Sequence, residues 1–147
     1  MIVAEQKPLA EIRQMITPYQ RVLILGCGTC MTVCNTGGER EVSFLHNALR
    51  LAESRSGNEI HTFSEYTVKR QCDYEFLDSL VDKIGDVDAI LSLGCGIGVQ
   101  AIAERLPDLP VLPGVNTSFM GMAEEWGVWD ERCAACGDCR LADTAGT

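Results

Sequence analysis

The chain has 147 residues and a net charge of −9, with twenty-one Asp and Glu against twelve Lys and Arg. This length is enough for one domain that buries about two thirds of its unfolded surface without help from a metal. The negative charge repels a phosphate backbone, which disfavours nucleic acid as a partner. No apolar run approaches the roughly 18 to 20 residues that cross a bilayer, so we expect no membrane insertion.

Apolar spacing predicts helices and strands that alternate along the chain. Helices are predicted at residues 8–19, 39–55, 73–84 and 97–106. Strands are predicted at residues 21–26, 59–68, 88–93 and 111–115, the last of them ending the regular pattern. Strands that are continuous apolar runs separated by helices are typical of a parallel sheet covered on both faces. We therefore predict an α/β fold, a small doubly wound parallel sheet with a C-terminal cysteine-rich arm.

Eight cysteines are the main chemical feature of the chain. Two groups have the spacings Cys27-x2-Cys30-x3-Cys34 and Cys133-x2-Cys136-x2-Cys139, and two single residues, Cys72 and Cys95, lie between the groups. Thiolates at these spacings can turn toward one metal ion or cluster, which makes all eight candidate ligands. Neighbouring glycines permit a tight backbone, and the amides of Gly28, Gly96 and Gly137 are candidate hydrogen-bond donors to cofactor sulfur.

A disulfide framework is the alternative explanation of the cysteines. The N-terminal segment has charged residues and no apolar core of the kind that marks export. Reduced thiols in the cytoplasm are therefore expected rather than disulfides.

The predicted strands place several cysteines together. Cys27 follows the first strand, Cys72 the second and Cys95 the third, so all three fall at carboxyl ends of strands, where ligands bind in open α/β sheets. If the first strand is central, five thiols converge on one crevice. We divide the chain into an α/β domain with this cysteine-lined crevice at residues 1–118 and a metal-binding arm of the same compact unit at residues 119–147.

The spacing of the last three cysteines favours iron–sulfur chemistry. It matches the opening of the bacterial ferredoxin pattern, so one or two [4Fe-4S] clusters are expected, with zinc as the alternative. A structural zinc module for docking and a flavodoxin-like flavin or nucleotide binder remain open as other functions. The residues contain no constellation for bond-making catalysis, which favours a non-catalytic subunit.

Five segments carry a resemblance to a known family. They are AEQKPLAEI, GCGTCMTVCNTGGEREV, VKRQCD, LSLGCGIGVQAIAER and GVWDERCAACGDC. In this order they resemble the MetV family, also described as the methylenetetrahydrofolate reductase C-terminal domain family, whose members pair with the flavin-containing methylenetetrahydrofolate reductase of acetogens and related anaerobes. The resemblance implies a metal-binding electron-transfer subunit of that oxidoreductase complex in one-carbon (folate) metabolism, with further electron-transfer subunits as additional partners. It also places all eight cysteines in family motifs.

One departure from the family concerns the C-terminal cysteines. Members of the family typically continue beyond the last pair with a Thr-x-Gly segment and further cysteines, which are absent before Thr147. The fourth ligand of the C-terminal group is therefore missing locally. Either the chain is truncated or a remote thiol completes the ligand set. Which four of Cys27, Cys30, Cys34, Cys72 and Cys95 serve the crevice stays open.

Overall fold

The computed structural model describes residues 1–57, 60–134 and 136–139. The strands in these ranges are β1 Ile2–Gln6, β2 Arg21–Cys27, β3 Thr62–Val68, β4 Ala89–Ser92, β5 Val111–Pro113, β6 Val115–Glu125 and β7 Val128–Cys133. The helices are α1 Leu9–Ile16, α2 Cys30–Val33, α3 Glu39–Ser56, α4 Tyr74–Val81 and α5 Gly96–Arg105. None of the helices within the described ranges combines the length and apolar character that a bilayer crossing needs.

Four strands form a parallel sheet in the order β3-β2-β4-β5. They correspond to the four strands predicted from apolar runs, and helices lie between them in sequence, so the predicted α/β class is confirmed. The first of these strands, β2, lies between β3 and β4. The chain continues from β2 to β3 on one side of β2 and later forms β4 on the other side. The strand order therefore reverses between β2 and β4.

Side chains of β2 alternate between two cores. Val22 and Ile24 pack in one cluster of buried residues, whereas Leu23 and Leu25 pack in another. The first cluster contains apolar residues of α1 and α3, and the second contains those of α4 and α5. Burying one such aliphatic side chain stabilises a fold by about 1.5–3 kcal/mol. The sheet is therefore held by apolar packing on both faces, with no requirement for metal.

Helix α3 begins and ends at glycines. The amide of Gly38 donates to the carboxylate of Glu41 at 3.0 Å, which caps the N-terminus of the helix. Gly57 has φ 69° and ends the helix in the left-handed region, where a residue without Cβ is favoured. The predicted helix at residues 39–55 is thereby confirmed to within one residue.

A second, antiparallel sheet in the order β1-β6-β7 was not predicted. The expectation that the regular pattern ends with a strand at residues 111–115 is wrong, because β5 stops at Pro113 and β6 starts at Val115. Most side chains of β6 and β7 are exposed or half-buried, so the sequence lacks the apolar alternation that signals a strand. Residue 119, the predicted start of the arm, lies inside β6; the division into two parts stays a prediction.

Hydrogen bonds attach the second sheet to the carboxyl edge of the parallel sheet. The amide of Gly114 donates to the carbonyl of Ser92 at 2.7 Å, and the amide of Lys7 donates to the carbonyl of Gly114 at 3.0 Å. Farther along β6, the Thr117 hydroxyl accepts from the amide of Gly96 at 2.9 Å. The start of β6 is therefore fixed beside the end of β4 and the N-terminus of α5.

Candidate metal centre

Five cysteines lie at the carboxyl edge of the parallel sheet, and we call them the crevice cysteines. Cys27 ends β2, Cys30 begins α2, Cys34 follows α2, Cys72 lies between β3 and α4, and Cys95 is the N-cap of α5. The predicted positions of Cys27, Cys72 and Cys95 after the strands are thus confirmed, and β2 lies between β3 and β4, which is the condition stated for the convergence of five thiols. Their role as ligands stays a prediction.

Three crevice cysteines are shielded from solvent. The exposed fraction is 6% for Cys27, 3% for Cys34 and 9% for Cys95, and all three belong to the same packed core, against which Cys30 also packs. The crevice cysteines carry free thiols rather than disulfides. The edge of the sheet therefore holds three buried cysteine side chains, with Cys30 half-buried and Cys72 exposed.

The loop from Cys27 to Gly38 is folded tightly onto itself. The amide of Cys27 donates to the carbonyl of Gly37 at 2.8 Å, and the amides of Thr36 and Gly37 both donate to the carbonyl of Met31. The fully buried Met31 anchors the middle of the loop. The single helical turn α2 was not predicted. Next to it, the amide of Cys34 donates a hydrogen bond of 2.9 Å to the carbonyl of Cys30, which keeps these two residues within one turn.

Two threonine hydroxyls lie next to crevice sulfurs. Thr36 Oγ1 is 2.9 Å from Cys34 Sγ, and Thr29 Oγ1 is 3.5 Å from Cys27 Sγ. Hydroxyl donors to sulfur tune the charge and reduction potential of thiolate-ligated centres. Neither threonine was predicted from the sequence, although each follows its cysteine by two residues, a spacing that could have indicated the contact.

Cys72 lies at the exposed rim of the crevice, near two of the other thiols. Burial by the surrounding protein is the largest cause that raises the pKa of the Cys72 thiol above its ordinary value, and negative charge on Cys95 and then on Cys27 raises it further. Like charges have this effect only over short distances. Strand order agrees with this, because the loops that follow β2, β3 and β4 are neighbours at one edge of the sheet.

Two of the three glycines predicted to donate to sulfur, Gly28 and Gly96, donate their amides to other oxygen atoms. The amide of Gly28 donates to the carbonyl of Val68 at 2.9 Å, and that of Gly96 donates to Thr117. Gly137 has φ 77°, a left-handed conformation that suits glycine. A role of these three amides toward cofactor sulfur stays a prediction.

The C-terminal cysteines lie at and beyond the end of β7. Cys133 is the last residue of β7 and is opposite Met120 of β6, while Cys136 and Cys139 follow in the short described range 136–139. All three are exposed. The first cysteine of the C-terminal group therefore lies at the end of the β6–β7 hairpin.

The donor chemistry of the crevice fits a soft metal or an iron–sulfur cluster. Within residues 1–57, 60–134 and 136–139, no three His, Cys, Asp or Glu side chains are grouped closely enough to enclose an ion. The available donors are nevertheless thiols, with hydroxyls beside two of them and the positive end of the α5 dipole at Cys95. Thiol side chains would have to rotate toward a common centre to complete a ligand shell.

Two glycine-rich segments, at residues 36–38 and 94–98, are the places where the alternative flavin or nucleotide binder would hold a phosphate, and both have structural roles. At the N-terminus of α3, the carboxylate of Glu41 already accepts from Gly38, and Glu39 adds a second negative charge. At residues 94–98, a Cβ on Gly94 would overlap the side-chain amide of Gln71, and one on Gly98 would lie 2.9 Å from Gln71 Cβ. Both glycine-rich segments therefore have a role in capping or packing, and the flavin or nucleotide binder stays an alternative prediction.

We expect the raised pKa of Cys72 to depend on its neighbours. Cys95→Ser removes the second of the causes and should lower the pKa of Cys72 part of the way toward its ordinary value, since burial, the largest cause, remains. Cys72 of the reduced, metal-free chain should then be alkylated by iodoacetamide at lower pH. Mass spectrometry of the peptide that contains Cys72 gives the midpoint. Cys139→Ser, which removes an exposed C-terminal thiol, is the control and should leave the midpoint unchanged. Equal midpoints in wild type and Cys95→Ser would contradict the proximity of these thiols.

Comparison with known proteins gives one relation. Residues 112–147 match a family model described as the C-terminal region of methylene-tetrahydrofolate reductase. The match includes β6, β7 and the C-terminal cysteines but none of the crevice cysteines. Neither a curated protein nor a solved structure matches the chain. The C-terminal segment is thus similar to a region associated with methylenetetrahydrofolate reductase.

Proposed function

We propose that this chain is an iron–sulfur electron-transfer subunit of the MetV type, which partners the flavin-containing methylenetetrahydrofolate reductase subunit in one-carbon metabolism. The observation that carries the proposal is the gathering of five free thiols at one edge of the parallel sheet, three of them buried. The match of residues 112–147 to a reductase-associated family model supports the assignment to this enzyme.

The proposed cofactors are [4Fe-4S] clusters. Cys27, Cys30 and Cys95 are the strongest candidates for the crevice, with Cys34 and Cys72 as candidates for the fourth ligand. Cys133, Cys136 and Cys139 would hold a second cluster. Such clusters take up and release single electrons at potentials set by burial, charge and hydrogen bonds to sulfur.

The residues around the crevice would adjust the properties of a bound cluster. Burial of Cys27, Cys34 and Cys95 excludes water from the sulfur side, and the hydroxyls of Thr29 and Thr36 are positioned to donate to sulfur. The N-terminal end of α5 stabilises negative charge near Cys95. The hydroxyls and the helix end would favour the extra electron of a reduced state, whereas burial would oppose the added negative charge.

Replacement of single crevice cysteines tests the proposed ligand set. Cys27→Ser, Cys30→Ser and Cys95→Ser should each lower the iron and acid-labile sulfide of the anaerobically purified chain by about four atoms, one cluster's content. Cys139→Ser should remove the second cluster instead, so combining it with Cys27→Ser should lower the iron content by about twice as much as either change alone. Full iron content in all three crevice variants would exclude the assignment. Zinc without sulfide would instead indicate a structural docking module.

The β6–β7 hairpin has the properties of a partner surface. Trp126 is 80% exposed, and Met122 and Val128 are also exposed. Trp126 and Trp129 line a cavity of about 740 Å³ between the hairpin and the start of α3. Exposed apolar clusters mark interaction sites, and Trp is among the residues that contribute most to binding. An electron carrier without a substrate site requires such a surface.

We expect Trp126→Ala to weaken the complex with the flavin-containing subunit by more than about tenfold, because loss of a binding hot spot costs at least about 2 kcal/mol. Phe44→Ala is the matched control, since Phe44 is an aromatic residue of α3 that is 71% exposed. Anaerobic affinity measurements with the co-expressed subunits provide the test. Failure of the wild-type chain to bind the flavin-containing subunit would overturn the partnership, and equal losses in both variants would remove the hairpin from the interface.

A further inference from the structure

A buried glutamine links the three loops that carry the crevice cysteines. Gln71 is 1% exposed, and its side-chain amide spans two strands. Its Nε2 donates to the carbonyl of Leu25 at 2.8 Å, and its Oε1 accepts from the hydroxyl of Ser92 at 2.7 Å. The same hydroxyl accepts from the amide of Gly94 at 3.1 Å. A satisfied polar network of this kind fixes a single local arrangement in a core.

Each contact of Gln71 lies close in sequence to a crevice cysteine. Gln71 itself precedes Cys72, and Leu25 lies two residues before Cys27 on β2. Ser92 ends β4, three residues before Cys95. One amide side chain therefore connects the loop after β3 to the ends of β2 and β4.

Two glycines make room for this side chain. A Cβ at Gly94 would overlap the amide of Gln71, and a Cβ at Gly98 would lie 2.9 Å from both Gln71 Oε1 and Gln71 Cβ. Between them, Gly96 has only Thr117 Oγ1 nearby, at an ordinary 3.7 Å. Gln71 is the residue that packs against both Gly94 and Gly98, whereas Gly96 between them is not crowded. The absence of a side chain at Gly94 and Gly98 therefore leaves space for Gln71.

We propose that Gln71 is a positioning residue: by bonding to Leu25 and Ser92, its side chain holds Cys72 at a fixed distance from Cys27 and Cys95. The inference rests on the proposed function in so far as these thiols serve as ligands. The positioning itself is a property of the protein alone. Residues that orient metal ligands typically change metal affinity when they are replaced.

Gln71→Leu is the main test, because leucine is similar in size and cannot form either hydrogen bond. The reduced, metal-free chain is titrated anaerobically with Co²⁺, and sulfur-to-cobalt charge-transfer absorption reports thiolate binding. We expect cobalt affinity to fall by about 10- to 100-fold, the range observed when ligand-orienting residues are replaced. Ser92→Ala removes one of the two bonds and should give a smaller loss in the same direction, which keeps the test usable if Gln71→Leu does not fold.

A second readout requires no metal. Diamide removes two electrons and two protons from a pair of adjacent thiols and leaves a disulfide, which peptide mapping identifies. Wild type should form disulfides from Cys72 to Cys95 or Cys27, whereas Gln71→Leu should lose them. Gln6→Leu is the matched control, because the side-chain nitrogen of Gln6 is buried without a hydrogen-bond partner in the described part of the chain. Circular dichroism verifies that each variant is folded.

The two readouts separate the two claims. Folded Gln71→Leu or Ser92→Ala that forms the Cys72 disulfides as wild type does would overturn the positioning role. If wild type forms these disulfides, folded Gln71→Leu loses them and wild type binds no cobalt, the positioning role is supported and only the proposed metal function is contradicted. Loss of the disulfides in Gln6→Leu as well would also overturn the inference, since the effect would then not depend on the Gln71 bonds.

Discussion

Parallel strands end at the same edge of a sheet, and this constraint determines where the cysteines of the chain can meet. Because β2 lies between β3 and β4, the loops that follow all three strands are neighbours. Cys27, Cys72 and Cys95 belong to these loops. Apolar packing on both faces holds the strand order, so the sulfur-rich edge can be devoted to chemistry while the stability of the sheet comes from elsewhere.

The sequence predicts those parts of the fold in which local pattern and burial agree. The run from Val22 to Leu25 is apolar at every position because both faces of β2 are covered, and α3 ends within one residue of the predicted end at residue 55. The hairpin of β6 and β7 escapes prediction for the opposite reason. Few of its side chains are buried, and its pairing with the distant β1 leaves no local signal.

The positions of the candidate ligands could be predicted from the sequence, but the residues that support them could not. Cysteine spacing and strand ends together locate the five thiols, since both are properties of neighbouring residues. Gln71 has no such signal, because its partners Leu25 and Ser92 are 46 and 21 residues away along the chain. The hydrogen bonds of Gln71 form only when the sheet brings Leu25 and Ser92 next to it. Glycines at 94 and 98 were visible in the sequence, but their purpose depends on that same contact.

The central claim is that the gathered thiols hold iron–sulfur clusters. It is tested most directly by anaerobic determination of iron, zinc and acid-labile sulfide in the isolated chain. The account predicts iron and sulfide in equal amounts, with about four of each for every cluster. It also predicts broad visible absorption that bleaches on reduction. Stoichiometric zinc without sulfide, or thiols that bind neither metal under strictly anaerobic reconstitution, would contradict it.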